Sequence, residues 1–293
     1  SMLSLYVHVP FCDKKCGYCS FHVLETEKMR NESSILDHYV AALKKEIDKL
    51  VDRVGREEIK TLYFGGGTPS KLWLERLLDI VSTVETRFDL ENIWEISFEC
   101  NPYPHESTIS LVSWLQKKLK DFARVRFSFG IQSFDDDILK ESGRWHTFSQ
   151  TVAFLRELQW QKKAHSVYNL DFIAFGKFST TKSGKKQLRD GARLDFFESL
   201  VNSHFADWFS LYTLELFEGS IWYHDLLKLY SKKQYWHGLH KYGSDDDIYE
   251  EFSILKDILV DAGYRRYELS NFCLPGKSSI HNRAYWEMEN YIG

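Results

Sequence analysis

Three cysteines, Cys12, Cys16 and Cys19, stand in the run LYVHVPFCDKKCGYC with C-x3-C-x2-C spacing, directly after a short apolar stretch. Thiolates this close together in one loop can each hold one iron of a four-iron cluster. No other cysteine lies nearby; Cys100 and Cys273 are single, distant in sequence, and read as ordinary buried thiols. Iron–sulfur clusters normally take four thiolates, so a set of three leaves one iron to be completed by something else. The same three cysteines with His22 also satisfy a Cys3His zinc pattern. Structural zinc usually comes as two paired knuckles from separated segments, whereas this is one compact group. Both metals stay open on spacing alone.

Other residue types capable of chemistry are scattered along the chain. Gly65-Gly66-Gly67-Thr68-Pro69 removes three consecutive Cβ atoms after an apolar run, which lets backbone approach a ligand closely or simply makes a tight strand-to-helix turn. Its pattern is not the dinucleotide-binding G-x-G-x-x-G. Glu99 and Asp171 can bind ribose hydroxyls or an ammonium, Gln132 is a further polar candidate, and Arg144 can grip a carboxylate through paired hydrogen bonds. In His281-Asn282-Arg283-Ala284-Tyr285-Trp286, His and Tyr are both possible axial ligands of heme iron, and Tyr285 and Trp286 can enclose a flat macrocycle. Taken singly, each also reads as a surface, cap or core residue.

The elements that must position these groups alternate regularly. Strands are predicted at Leu5–Val9, Thr61–Phe64, Trp94–Phe98, Val125–Ile131, Tyr168–Ile173 and Trp208–Leu214. Between them, Ile35, Tyr39, Val40, Leu43, Ile47, Leu50 and Val54 mark an apolar stripe at helical spacing, and Leu72–Val84, Thr108–Leu119, Thr151–Leu158 and Leu188–Val201 read as further helices. Six successive βα units imply a parallel sheet with covering helices, because parallel neighbours need crossovers. Six are too few for an eight-fold barrel and fit an open partial barrel. Chemistry then belongs at the C-terminal ends of the strands, where the cysteine loop, the triple glycine, Glu99, Gln132 and Asp171 all fall. After residue 223 the pattern changes. Lys228–Tyr242 is aromatic and basic without clean periodicity, Ile248 to Ala262 forms an amphipathic helix, and Arg266–Ser270 reads as one more strand.

Composition sets outer limits. At 43% hydrophobic and 27% charged residues the chain reads as soluble and globular, and a net charge of −4 with scattered basic residues gives no nucleic-acid surface. No apolar run approaches the length of a membrane span, and an early first strand leaves no room for a signal peptide. Clustered rather than framework cysteines suggest a reducing cytoplasm.

Taken together, YVHVPFCDKKCGYCSF, FGGGTPS, EISFECNP, RFSFGIQSF followed by GRWH, NLDFI, FSLYTLEL, and GYRRYELSNF through HNRAYW resemble one family across nearly the whole chain. That family is the radical S-adenosylmethionine (SAM) group of oxygen-independent coproporphyrinogen III oxidase-like proteins, which includes the heme chaperone HemW. The resemblance implies a partial (β/α)6 barrel over residues 3–223, carrying the cluster and SAM site, and a C-terminal α+β extension over 224–293 with the HNRAYW motif. It implies that Cys12, Cys16 and Cys19 ligate a [4Fe-4S] cluster. By the same token Tyr6, Tyr18, Gly66, Gly67, Thr68, Glu99, Gln132, Arg144 and Asp171 match SAM-contacting positions, and His281 and Tyr285 match the heme motif. The resemblance further implies that SAM would complete the fourth iron through its amino and carboxylate groups, and that an electron passed into the cluster would cleave it to methionine and a 5′-deoxyadenosyl radical.

Within the family, the oxidase carries a further cysteine two residues after the third ligand, where this chain has Phe21, and an extension before its first strand. HNRAYW instead matches the heme-binding branch. The expectation is therefore a HemW-like protein that binds heme and transfers it to acceptor proteins, drawing electrons from a small donor protein; oxidative decarboxylation of porphyrinogen propionates is the alternative, and a zinc-stabilised α/β protein the second. Two departures stand out. Where the family has a GLPGQT-like turn, this chain reads AFGKFSTTKSGKK, and it stops at NYIG where relatives continue through a glycine-rich stretch into a further domain.

Overall fold

A computed structural model describes residues 2–122, 124–180, 182–184, 186–189, 191–231 and 242–293. Six parallel strands form its centre: β1 (Leu3–Val9), β2 (Ile59–Gly66), β3 (Glu95–Cys100), β4 (Val125–Gln132), β5 (Ser166–Ala174) and β6 (Trp208–Thr213). Each pairs with the next in parallel register, as in Leu5↔Leu62, Tyr63↔Ser97, Ser97↔Arg126, Ser128↔Asn169 and Ser210↔Asp171. The crossovers are α1 (Glu32–Val54), α2 (Trp73–Arg87), α3 (His105–Lys118), the pair α4 (Asp136–Glu141) and α5 (Phe148–Gln161), and α6 (Gly191–Asn202). This is the expected α/β fold, one βα unit after another.

Side-chain alternation explains the division of labour between the two faces of the sheet. Phe64, Phe98 and Phe127 stack across β2, β3 and β4, with ring centroids 4.9 and 5.9 Å apart, and Phe129 meets Phe154 of α5. These outward rings and the buried stripes of the helices form one continuous core. The alternate positions on β4 are Arg126, Ser128, Gly130 and Gln132, and these line an interior cavity. The inner face is thus polar and the outer face apolar.

The remainder joins the same sheet. Helices α7 (Ile221–Ser231) and α8 (Asp245–Asp261) are followed by the short strands β7 (Arg265–Arg266) and β8 (Asn271–Cys273), the helix α9 (Ile280–Trp286) and β9 (Tyr291–Ile292). The sheet order is β7-β8-β6-β5-β4-β3-β2-β1-β9, with β8 antiparallel to β6 and β9 parallel to β1. The strand expected over Arg266–Ser270 is instead a hairpin: β7 and β8 pair antiparallel, and Glu268 to Ser270 lie in the turn, where the Glu268 side chain accepts the Ser270 N–H at 2.9 Å. The helix expected from Leu188 begins at Gly191, because Lys186–Leu188 pairs antiparallel with Phe178–Thr180. Of the irregular stretch Lys228–Tyr242, residues up to 231 belong to α7 and residues 232–241 lie outside those described.

Candidate functional site

The three cysteines sit in a loop pinned at several points. Cys12 ends a two-residue strand, Phe11–Cys12, paired with Leu24–Glu25, which closes the loop on itself. Inside it, Cys19 N–H donates to Cys16 C=O at 3.1 Å, and Gly17 N–H donates to Ser142 C=O at 2.9 Å. Lys15 Nζ reaches Gly219 C=O at 3.0 Å, and Trp222 N–H reaches Gly17 C=O at 2.9 Å, so the start of α7 is fastened to the loop. All three thiols are free and partly exposed. Burial pushes Cys12 up to about 11 and raises Cys19, with the neighbouring thiols adding to both. A coordinated cation reverses that preference, since metals bind the thiolate.

Beside the cysteines, two glycines make a close backbone approach. Gly66 has φ of +108°, and a Cβ there would fall 2.6 Å from the His8 ring. A Cβ on Gly67 would fall 2.7 Å from the Phe11 carbonyl oxygen. The triple glycine is thus a steric requirement of this turn, and Gly66 and Gly67 line the cavity.

A hydrogen-bond network ties that turn to the cysteines. Thr68 Oγ1 donates to Cys12 Sγ at 3.4 Å, Asn101 Nδ2 to Thr68 Oγ1 at 3.2 Å, and Arg144 to both Asn101 Oδ1 at 3.1 Å and Cys16 Sγ at 3.7 Å. Arg144 also donates to Gly130 C=O, while its Nε has no partner among the described residues. Gln132 has φ of +67° at a register irregularity of β4 and faces the same cavity.

Two carboxylates complete the wall. Glu99 accepts from Tyr63 Oη at 2.6 Å and from Gly66 N–H at 3.2 Å. Burial, with Asp171 adding, lifts Glu99 to about 7. Asp171 accepts from Ser128 Oγ at 2.8 Å and Asn169 Nδ2 at 2.7 Å, and burial raises it too. The cavity, half open to solvent, measures about 550 Å³, and its lining includes all three cysteines, Tyr18, Thr68, Glu99, Gln132, Arg144 and Asp171. That volume suits a nucleoside-sized ligand.

Not every expected residue lines this cavity. Tyr6 stacks on Tyr63 at 5.9 Å and meets His8 Nδ1 at 3.1 Å, one ring away from the wall. His22 is exposed. Among the described residues, no three His, Cys, Asp or Glu side chains converge on a single metal-ion position, which a mononuclear zinc site needs. In a cubane each thiolate binds its own iron, so ligands spread around one cavity wall are acceptable.

His281 and Tyr285 do not line the cavity, although Asn282 between them does. Glu95, the first residue of β3, accepts from Ser279 Oγ at 3.1 Å and from His281 N–H at 3.2 Å, so α9 is held at the N-terminal end of the strands. His281 is 1% exposed, and both ring nitrogens are engaged: Nδ1 with Thr61 Oγ1 and Nε2 with Tyr285 Oη, each at 2.7 Å. Burial lowers its pKa to about 4. Tyr285, Trp286, Met288 and Tyr291 stay exposed.

Sequence reasoning missed Tyr63, Asn101 and Arg126. The signal was available: stepping back two residues from Gln132 along β4 gives Gly130, Ser128 and Arg126, and the same period on β2 gives Gly65 and Tyr63.

Comparisons with known proteins place the family and the fold. The Radical SAM superfamily model matches residues 6–170. The heme chaperone HemW of Lactococcus lactis is 31% identical over 99% of this chain and 67% of its own length, and HemW of Bacillus subtilis is 29% identical, covering 100% and 69%. The zebrafish radical S-adenosyl methionine domain-containing protein 1, named as mitochondrial, is 28% identical, with this chain spanning 58% of it. Among solved structures, the coproporphyrinogen III oxidase HemN from Escherichia coli, described as a radical SAM enzyme, superposes with a TM-score of 0.67 at 20% identity. That superposition covers 98% of this chain and 58% of the oxidase, and it bears on the fold alone. The chain belongs to the radical SAM superfamily and, within it, to the family of the heme chaperone HemW.

Proposed function

We propose that this chain binds a [4Fe-4S] cluster through Cys12, Cys16 and Cys19 and SAM in the adjoining cavity, and that it binds heme for transfer to acceptor proteins. Membership of the superfamily implies the cluster and SAM. The observation that carries the site assignment is the single wall formed by three free thiols, Gly66, Gly67, Glu99 and the partly unpaired Arg144. When bound, the cluster and SAM supply one-electron chemistry.

The chain's own residues supply placement. Gly66 and Gly67 admit the ligand to within backbone contact. Arg144, with a free donor, receives a carboxylate, while Glu99 and Asp171 receive an ammonium and ribose hydroxyls, assisted by Thr68 and Gln132. Tyr18 packs edge-on against Phe175 and Trp222 and closes the cavity beside the cysteines; Tyr6 acts through Tyr63. On this reading residues 3–223 carry the cofactor chemistry and 224–293 the heme motif, a functional division, since both contribute to one sheet.

Heme is assigned to the exposed aromatic end of α9. Tyr285 is the accessible ligand, and His281 backs it through the 2.7 Å contact. Among the described residues no helix is long and apolar enough to cross a membrane. Five free thiols suit a reducing compartment such as the cytoplasm, where an electron-donating protein and a heme acceptor would be the partners. Heme titration of the reconstituted protein tests the assignment. A Soret shift saturating at one equivalent, weakened about tenfold or more in Tyr285→Phe, supports it; equal affinity in the wild type, Tyr285→Phe and His281→Ala would remove it.

A further inference from the structure

A continuous line of contacts joins the HNRAYW helix to the cavity wall. Tyr285 Oη and Thr61 Oγ1 hold the two ring nitrogens of His281, each at 2.7 Å, so the imidazole cannot turn without breaking a buried hydrogen bond. That imidazole stacks on Tyr63, with centroids 4.8 Å apart and planes inclined 28°. Tyr6 stacks on the same phenol ring, and the Arg126 guanidinium, itself 3.3 Å from the Trp208 ring centre, lies 5.6 Å from it. Tyr63 Oη then donates to Glu99 Oε1 at 2.6 Å, and Glu99 Oε2 accepts the Gly66 N–H. Every group in the line is fixed by at least two neighbours. Interiors packed in this way transmit displacements instead of absorbing them.

We propose that Tyr63 is a positioning residue that couples the Tyr285–His281 pair to Glu99, so that a ligand at the exposed end of α9 and a ligand in the cavity change each other's affinity. The inference rests on the reading that Glu99 serves SAM and Tyr285 serves heme, and it deepens that reading by giving the two sites a physical connection. A ligand that takes Tyr285 Oη away from His281 leaves a buried ring nitrogen without its partner, which is costly enough to shift the imidazole and the phenol stacked on it. From the other side, an ammonium at Glu99 competes with Tyr63 Oη for the same carboxylate. Coupling of this kind is reciprocal by thermodynamic necessity.

The test uses the full chain with its cluster reconstituted anaerobically and reads backbone hydrogen exchange of α9 with and without SAM, so it does not depend on turnover. Saturating SAM should change exchange at Arg283 to Glu287 by about fivefold or more, within the usual range of coupling between sites, and leave α3 unchanged. Tyr63→Phe keeps the ring and removes the bond to Glu99, and should bring the response within about twofold of none. Tyr285→Phe, at the far end of the line, should do the same, which keeps the test decisive should the Tyr63 variant fold poorly. In the wild type, heme affinity should differ about fivefold with and without SAM, and this difference should vanish in Tyr63→Phe. Bound SAM, shown by calorimetry, with unchanged α9 exchange would overturn the coupling and leave the site assignment standing. Absence of SAM binding would overturn both. Absence of heme binding would overturn the heme reading alone, and the exchange data, which need only SAM, would still decide the relay.

Discussion

Glu99 and His281 are buried titratable groups whose shifts run in opposite senses, and both follow from desolvation. Glu99 is lifted from 4.5 to about 7, so the folded state holds its proton more tightly than the unfolded chain. Its contribution is present below pH 4.5 and is lost as pH rises through 7. His281 is lowered from 6.5 to about 4, so its neutral burial is harmless above 6.5 and destabilising as pH falls toward 4. Glu99→Gln should therefore gain stability relative to the wild type as pH rises from 4.5 to 7, by on the order of 3 kcal/mol in denaturant titrations. The same variant should bind SAM about tenfold or more weakly, because a charge-assisted hydrogen bond is removed. A variant that gains no stability over that window would show that Glu99 is ionised at little cost. One that gains stability and keeps full SAM affinity would place the ammonium elsewhere.

At the scale of elements, the cysteine loop depends on its docking with α7. A Cβ on Gly17 would lie 2.1 Å from the buried Trp222 indole nitrogen. Gly17→Ala should thus cost about 1–3 kcal/mol through overpacking and reduce iron retained after reconstitution, measured by metal and sulfide analysis. Retention at the wild-type level would mean the loop holds itself without α7. Helix α9 depends on Ser279, whose Oγ accepts the Asn282 N–H at 3.1 Å and donates to Glu95. Ser279→Ala should lower the unfolding free energy by about 1–2 kcal/mol, read as a lower denaturant midpoint with unchanged denaturant sensitivity; no loss would mean Glu95 alone anchors the helix.

The six parallel strands and their helices were legible because periodicity switches cleanly between two and 3.6 along the chain. The short pieces were not: Arg265–Arg266 and Asn271–Cys273 carry too few residues to show a period, and their pairing is a long-range fact. In the site, Cys12, the triple glycine, Glu99 and Gln132 were visible from their places after strands. Tyr63 and Arg126 lie deeper along the strands, and only the period-two step back from Gly65 and Gln132 points to them. Least legible was the placement of α9. The HNRAYW motif reads as chemistry, yet only its long-range contacts to Glu95 and Thr61 reveal that His281 sits toward the N-terminal ends of the strands, with Asn282 still reaching the cavity.

Across the whole molecule, thiols, glycines and carboxylates gather at the C-terminal ends of the strands, and exposed aromatic residues gather around α9, whose Asn282 reaches the same cavity. One sheet takes strands from both parts of the chain. The central claim is that Cys12, Cys16 and Cys19 hold a four-iron cluster with one iron open to SAM. It is tested most directly by low-temperature EPR of the anaerobically reconstituted, reduced protein with and without SAM. A four-iron signal that shifts on adding SAM, and that is lost in Cys16→Ser, is the predicted result. A signal indifferent to SAM, or stoichiometric zinc binding with no iron–sulfur signal, would contradict it.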